Sequence, residues 1–421
     1  MLHYVFMVGD YAPIPSANGN CVRALVDELI SRGNIVDVIC FGDAYCYGYK
    51  ERPIGSVHTI ERDRLPDENV GKLAHKIACI PRALWWPVGN PRLKEHYIRM
   101  LQKVNENLKI DCVIACQLPV ASSAAGMEFK KKVPNVSFFI YELDSFWNSY
   151  YLVEGWKRLF IKKCKKIERQ FYDVADGILH LECNRENYKG GLYEKYNGKS
   201  YYLDIPLINK TQYYNYTEMI HNLGSGTEKI KLIYTGSLSS TFRKPNYIVE
   251  LIKKVSTSLP CELTFYSRGC DADLKREAEK SECIKSLGYV EKDVLEKGIA
   301  NSDFLVSIGN SLPEGHNAIP SKIFDYMSTG KPVVHILAGN NDICKKYFNE
   351  YPKVLLLDPR ESFERNFEIL RQFLIENKGV RVPFDVVSKA FYKNTPQYSV
   401  DVIEAALNAK DIIKQFEVNI E

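Results

Sequence analysis

Two cations and an acid, distant in the sequence, carry side chains suited to a charged, hydroxyl-bearing ligand. Arg243 and Lys244 close a polar loop over residues 235–244, just after a predicted strand at 231–234. Arginine grips phosphate oxygens in pairs, and lysine meets them as a point charge. Asp325 lies in the stretch Pro320-Ser321-Lys322-Ile323-Phe324-Asp325-Tyr326-Met327. When ionised it only accepts hydrogen bonds, which suits paired ribose hydroxyls rather than phosphate. A solvated turn also accounts for Arg243 and Lys244, and a helix dipole accounts for an acid at 325. Two more acids, Glu142 and Asp144, stand just beyond a predicted strand over 136–141. That is the place for acid–base work or for contact with a substrate hydroxyl, although helix capping would serve Asp144 as well.

The elements that must position these groups follow from local pattern. Pro320 fits a first helical position and Ser321 supplies a capping hydroxyl. Ile323, Phe324 and Met327 form a short apolar face, Gly330 suits the left-handed residue after a helix, and Pro332 forbids its continuation. A buried strand follows, and the polar loop 310–317 precedes. In an open α/β sheet such a loop lies at the carboxyl end of a strand, where ligands bind. At the other end of the chain, residues 4–8 read as a strand and 9–20 as a loop rich in Pro, Ser, Asn and Gly. Val22, Leu25, Val26, Leu29 and Ile30 then fall at helical spacing, Gly33 ends that helix, and 35–41 is a second strand. Gly19 at the helix start could present backbone N–H groups to a phosphate; a flexible entry loop explains it equally.

At 421 residues the chain calls for two domains. Strand–helix alternation restarts after the polar segment 209–228, which gives an N-terminal domain over 1–208, a second over 209–397, and a helical tail over 398–421 expected to return to the first. The fold class is therefore α/β, with two Rossmann-like sheets. A net charge of +4 is small for this length and gives no sign of nucleic-acid binding. Twelve cysteines without C-x-x-C spacing point to reduced thiols in a cytoplasmic compartment. Leu2 to Val8 reads as a buried strand rather than a leader, and no run approaches the roughly 20 apolar residues of a membrane span. Trp85 and Trp86 lie among basic residues, and residues 156–169 alternate Lys and Arg with apolar groups at helical spacing. Both suit the inner surface of an anionic membrane or a lipid-linked acceptor; an aromatic core and a solvated face are the plainer readings.

With these residues in hand, the chain resembles the family 4 retaining glycosyltransferases, whose GT-B fold has two facing Rossmann-like domains and a cleft between them. The resemblance rests on Gly9-Asp10-Tyr11-Ala12-Pro13 with Gly19, on Tyr234-Thr235-Gly236-Ser237-Leu238, on Leu287-Gly288-Tyr289-Val290, and most of all on residues 320–327 with Gly330-Lys331-Pro332. It implies a nucleotide-diphosphate sugar bound mainly by the second domain, as substrate rather than cofactor, and a glycan or lipid-linked acceptor. Gly236, Ser237 and Arg243 or Lys244 would hold the diphosphate, Asp325 the ribose, and Tyr289 and Val290 would lie by the base. Ser321 and Lys322 belong to the same donor-binding motif, and the Gly19 loop would approach the phosphates. Retention by front-face attack, without a metal, is the implied chemistry.

Three departures qualify that picture. The family's paired acids lie eight positions apart, which puts the first at Asn317, an amide; Glu314 is out of register. The second is Asp325, one methylene shorter than the usual Glu. Where many members carry a His beyond the strand ending at Tyr141, this chain has Glu142 and Asp144. The Pro-Ser-Lys-x-Phe-Asp-Tyr form resembles the branch that acts in surface-polysaccharide assembly. A nucleotide-sugar epimerase of related fold and a non-catalytic sugar-nucleotide binder remain the alternatives. A dinucleotide oxidoreductase is disfavoured because no G-x-G-x-x-G follows either first strand.

Overall fold

The computed structural model describes residues 1–11, 16–42, 55–62, 85–88, 91–144, 147, 155–223, 229–239, 243–268, 271–310 and 319–418. The chain divides into two compact units, Met1–Pro206 with Lys393–Glu421, and Leu207–Tyr392.

The first unit is built on β1 (His3–Met7), α1 (Ala17–Ser31), β2 (Ile35–Phe41), β3 (Ser56–Ile60), α2 (Pro91–Asn107), β4 (Cys112–Cys116), α3 (Val120–Lys132), β5 (Ser137–Glu142), α4 (Ile161–Val174), β6 (Gly177–Leu181) and β7 (Ser200–Leu203). Its seven strands run in the order β3-β2-β1-β4-β5-β6-β7, and every pairing is parallel. Helices cover both faces of such a sheet, so β1, β4, β5 and β6 are buried along their whole length. The order reverses between β1 and β4. Loops from those two strands leave in opposite directions there and open a crevice at their carboxyl ends.

The second unit repeats the plan with α5 (Lys210–Leu223), β8 (Ile230–Ser237), α6 (Asn246–Ser256), β9 (Cys261–Arg268), α7 (Asp271–Lys280), β10 (Ile284–Ser286), α8 (Lys292–Asn301), β11 (Phe304–Ile308), α9 (Lys322–Ser328), β12 (Val333–Ile336), α10 (Cys344–Phe348), β13 (Val354–Leu357), α11 (Phe363–Asn377) and α12 (Phe384–Ala390). Its six parallel strands run β10-β9-β8-β11-β12-β13, and the reversal falls between β8 and β11. The last helix, α13 (Pro396–Val418), belongs to the first unit and packs on α1. Arg32, at the end of α1, donates to Asp401 and Glu404 of α13, both at 2.8 Å, and to Glu28 of its own helix.

Two local expectations need correction. The segment 209–228, read as the polar boundary at which the second domain starts, is helical over Lys210–Leu223. Its tyrosines supply the packing face that its polarity hid: Tyr216 is buried, and Arg381 lies 4.4 Å from the centroid of the Tyr213 ring. Ser321 makes no capping hydrogen bond, and α9 begins at Lys322. The chain enters that helix through a tighter turn, with Ile323 N–H donating to Pro320 O and Phe324 N–H to Ser321 O, both at 3.1 Å. Gly330, at φ +73°, does end the segment, and a Cβ there would stand 2.6 Å from the Val382 carbonyl oxygen.

Candidate functional site

In the second unit the switch point between β8 and β11 gathers most of the expected ligand groups. Gly236, next to last in β8, has φ +111°, a conformation side-chain-bearing residues rarely adopt, and Ser237 after it is exposed. Arg243 returns to this strand end through a short antiparallel bridge with Ser239. Its guanidinium donates Nη1–H to the Ser237 carbonyl at 3.0 Å and Nε–H to Asn310 Oδ1 at 2.8 Å. Asn310 directly follows Gly309 at the end of β11, so Arg243 spans the two strand ends that define the crevice. Lys244 is exposed beside it.

Lys322, in the first turn of α9, reaches the same place. Its Nζ donates to the Thr235 carbonyl at 3.0 Å and lies 3.8 Å from the centroid of the Tyr234 ring. A Cβ on Gly236 would be 3.7 Å from that Nζ, so the ammonium and the glycine adjoin. Burial, and then repulsion from Arg243, hold the Lys322 ammonium well below the usual lysine range. Tyr326 fastens the helix from its next turn: its hydroxyl accepts from Thr235 N–H at 2.8 Å and shares a bond with Thr235 Oγ1 at 3.0 Å. Two converging cations at a crevice floor are electrostatically costly until an anion arrives.

Asp325 sits on the same turn but has partners of its own. Burial pushes its carboxyl up to about 6, while Lys292 of α8 and a hydrogen bond from Gln212 of α5 pull it down. Gln212 was invisible in the sequence because its segment reads as a linker; Asn310 could have been found from its place just past a strand at the reversal. Tyr289 and Val290 follow β10, and Gly288 before them adopts φ +66°. They stand two strands from β8 in the sheet order, and Tyr289 is 43% exposed. Asn317 lies outside the described residues.

Behind the crevice, Asp342 clasps the loop after β12. It accepts from Ala338 N–H and Cys344 N–H at 2.9 Å and from His335 Nε2 at 3.1 Å, and it lies so close to Gly309 that a Cβ there could not be accommodated. His335, Asp342 and Cys344 bring donor atoms within 4.8 Å of one another. Both Asp342 oxygens are already used by backbone N–H groups, and the positive charges of Lys322 and Arg243 act on Cys344. The set therefore reads as a loop clasp and a poor cation site.

In the first unit, a pocket of about 360 Å³ opens at the switch point between β1 and β4. Val8, Gly9 and Asp10 line it from β1, Ser16, Ala17 and Asn18 from the start of α1, and Phe41, Leu118 and Pro119 complete it. Ser16 caps α1 by accepting the Gly19 N–H at 2.9 Å, so that N–H is turned inward. A Cβ on Gly19 would lie 2.5 Å from the Asp10 carbonyl oxygen, which makes close backbone approach the reason for this glycine. Asp10 pairs with Arg62, whose guanidinium stands 4.8 Å from the Phe41 ring centroid.

Asp144 accepts a hydrogen bond from Asn18, one of the lining residues; burial raises its carboxyl and Asn18 partly offsets the rise. Glu142 does not line the pocket. It is 1% exposed, with Tyr172 donating to one oxygen and His180 Nδ1 at 2.7 Å from the other. Register explains the difference: Glu142 is still on β5, paired with His180 of β6, and its side chain enters the core. There it faces Glu168, whose carboxyl is raised far above the normal range by burial and then by Glu142. The expected acid–base role for Glu142 is therefore replaced by a structural one.

No known protein-family profile matches this sequence, and no curated protein matches it. Solved structures do. The chain is similar to Anabaena Alr3699/HepE in complex with UDP, with a TM-score of 0.59 at 14% identity over 97% of this chain and 100% of that one. It is similar to a glycosyltransferase from Rickettsia africae ESF-5, with a TM-score of 0.58 at 10% identity over 96% and 98% of the two chains. The catalytic domain of Starch Synthase IV from Arabidopsis thaliana, bound to ADP and acarbose, gives 0.56 at 10% identity over 97% and 99%. At such identities the likeness is one of fold, and the chain has the α/β architecture of two parallel sheets, GT-B, that these structures share.

Proposed function

We propose that this chain is a glycosyltransferase that moves a sugar from a nucleoside-diphosphate sugar to a glycan or lipid-linked acceptor in polysaccharide or glycoconjugate assembly. The observation that carries the reading is the convergence of Arg243 and Lys322 on the Gly236 end of β8. Two fixed cations there would neutralise a diphosphate, first as ligand and then as leaving group. A preorganised charge of that kind favours the transition state because it needs no rearrangement as negative charge develops. Asp325, on the same helix turn, would take the ribose hydroxyls, and Tyr289 with Val290 the base. Structures of the same fold hold UDP or ADP, and one also holds acarbose.

In the first unit, Asp144 would orient an acceptor hydroxyl, a task for a partly shielded carboxyl held by an amide. The resemblance of residues 320–327 to the retaining family 4 supports retention, with the leaving phosphate itself taking the acceptor proton. The cations support transfer that needs no divalent metal.

Incubation with a panel of nucleoside-diphosphate sugars, with and without mixed glycan and lipid-linked acceptors, tests the reading. The expected products are a nucleoside diphosphate and an acceptor-dependent glycoside of unchanged anomeric configuration, in yields unaffected by EDTA. A new nucleotide sugar made from donor alone would identify an epimerase. Donor binding without any turnover would identify a binding protein.

A further inference from the structure

Two features that are far apart in the sequence, the Trp85-Trp86 pair and the basic stretch ahead of residue 170, come together in the first unit through Trp86 and Cys164. Trp86 packs against the core beside the Cys164 thiol, on the inward side of α4. Its neighbour Trp85 is left 57% exposed. Trp147 arrives at the same half of the helix, with Lys165 Nζ 3.7 Å from its ring centroid. The chain's fourth tryptophan, Trp156, lies in the helical turn Gly155–Phe160 that leads into α4. In that turn Leu159 is 84% exposed.

The charge on this face is one-sided. Between residues 155 and 170 the sequence has seven Lys or Arg residues and one acid, and that acid, Glu168, is buried. Cys164, Glu168, Phe171 and Tyr172 fix the inward side of α4, which leaves Lys162 and Lys166 pointing out. Among the described residues neither of these, nor Arg158, has a carboxylate partner. Three other exposed lysines of the unit do: Lys132 pairs with Glu128, Lys189 with Glu186 and Lys195 with Asp173. Among the described residues no helix is long and apolar enough to cross a membrane.

We propose that the face formed by Trp85, Leu159 and the outer side of α4 docks this protein on an anionic phospholipid surface. Uncompensated lysines draw the face toward the negative headgroups, and an exposed indole and leucine then enter the interfacial layer, where tryptophan is favoured. A soluble acidic partner would use the cations but would leave an exposed Trp85 and Leu159 without a role. The inference goes beyond the transfer reading and stands apart from it, since it uses none of the nucleotide groups.

Vesicle co-sedimentation of the full chain tests it, with neutral phosphatidylcholine vesicles and with vesicles containing phosphatidylglycerol, at low and high salt. The expected result is binding to the anionic vesicles alone, weakened by salt, with a blue shift in tryptophan emission. Lys162→Glu/Lys166→Glu should weaken it about thirtyfold, while the same charge change at exposed Lys389 and Lys393 should not. Trp85→Ala should reduce binding and the blue shift without altering nucleotide-induced melting shifts. Binding to neither vesicle, equal loss in the Lys389/Lys393 control, or equally tight binding to soluble polyglutamate would overturn the proposal.

Discussion

The Lys322 ammonium donates to the carbonyl of Thr235 at 3.0 Å, so the first turn of α9 is tied to the last residues of β8. With the Tyr326 hydroxyl on the Thr235 N–H, both backbone groups of that one residue are held by a single helix. The strand end that carries Gly236 and the helix that carries Asp325 are thereby positioned as one piece. If the proposed site is right, this would fix the spacing between the phosphate and ribose contacts before a ligand binds.

Gly236→Ala tests the phosphate end. At φ +111° an alanine is strained by about 1–2 kcal/mol, although its methyl would meet Lys322 only at ordinary contact distance. Chemical denaturation should show that loss, and calorimetric titration with a nucleoside diphosphate should show affinity falling by more than tenfold. Unchanged affinity would mean that the diphosphate does not approach this strand end.

Asp325 predicts a pH profile. Its folded carboxyl, at about 6, lies above the free value of 3.8, so the folded chain holds this proton more tightly than the unfolded one. Its contribution to stability is therefore present at low pH and lost as the pH rises through about 6. Asp325→Asn should stabilise the ligand-free protein at pH 7.5, on the order of 1–3 kcal/mol, and abolish the gain from nucleotide. In the wild type, nucleotide affinity should fall as the pH drops below about 6. Gln212→Ala, which removes a bond that lowers this carboxyl, should move the midpoint upward. A flat profile between pH 5 and pH 8 would remove Asp325 from the ribose contact.

Much of the frame was legible before any coordinates. The strand over residues 35–41, the helix stop at Gly330 and Pro332, and the C-terminal helix all follow from period, glycine and proline. Side-chain direction was less accessible. Glu142 and Asp144 look equivalent in sequence, yet one residue of extra strand turns Glu142 to His180 and the core while Asp144 meets Asn18. Likewise a lysine in a helix motif gives no hint that its Nζ will bond the carbonyl of Thr235, 87 positions away. Such pairings depend on which strands lie side by side, and that is set by the whole sheet.

Asp144→Asn separates binding from transfer. It preserves the shape and the Asn18 neighbour but removes the carboxyl, so nucleotide affinity should persist while turnover drops by a hundredfold or more, on the order of a lost general-acid–base or orienting group. Glu142→Gln should instead act on stability, because its partners Tyr172 and His180 are core groups. Parallel melting and turnover measurements distinguish the two; equal turnover in Asp144→Asn and wild type would exclude a role for Asp144.

Gly126→Ala reports on the packing that supports the first unit. Alanine in a helix interior normally stabilises by about 0.5–1 kcal/mol. Here its Cβ would lie 2.2 Å from Cε2 of the buried Phe138 ring on β5, and overpacking of that kind costs about 1–3 kcal/mol. The collision should win, and urea denaturation should give a net loss of about 1 kcal/mol or more. A stabilised variant would show that α3 and β5 are more loosely packed than described.

Thermal melting across a panel of nucleoside mono- and diphosphates tests whether Arg243, Lys322 and Asp325 form the proposed nucleoside-diphosphate site. At about 100 times the dissociation constant a ligand adds roughly 2.7 kcal/mol of stability, enough for a melting shift of several degrees. Such a shift is expected for at least one diphosphate, a smaller one for its monophosphate, and none for that diphosphate with Lys322→Ala or Asp325→Asn. Melting that stays unmoved across the panel, or shifts that survive both substitutions, would contradict the proposed site.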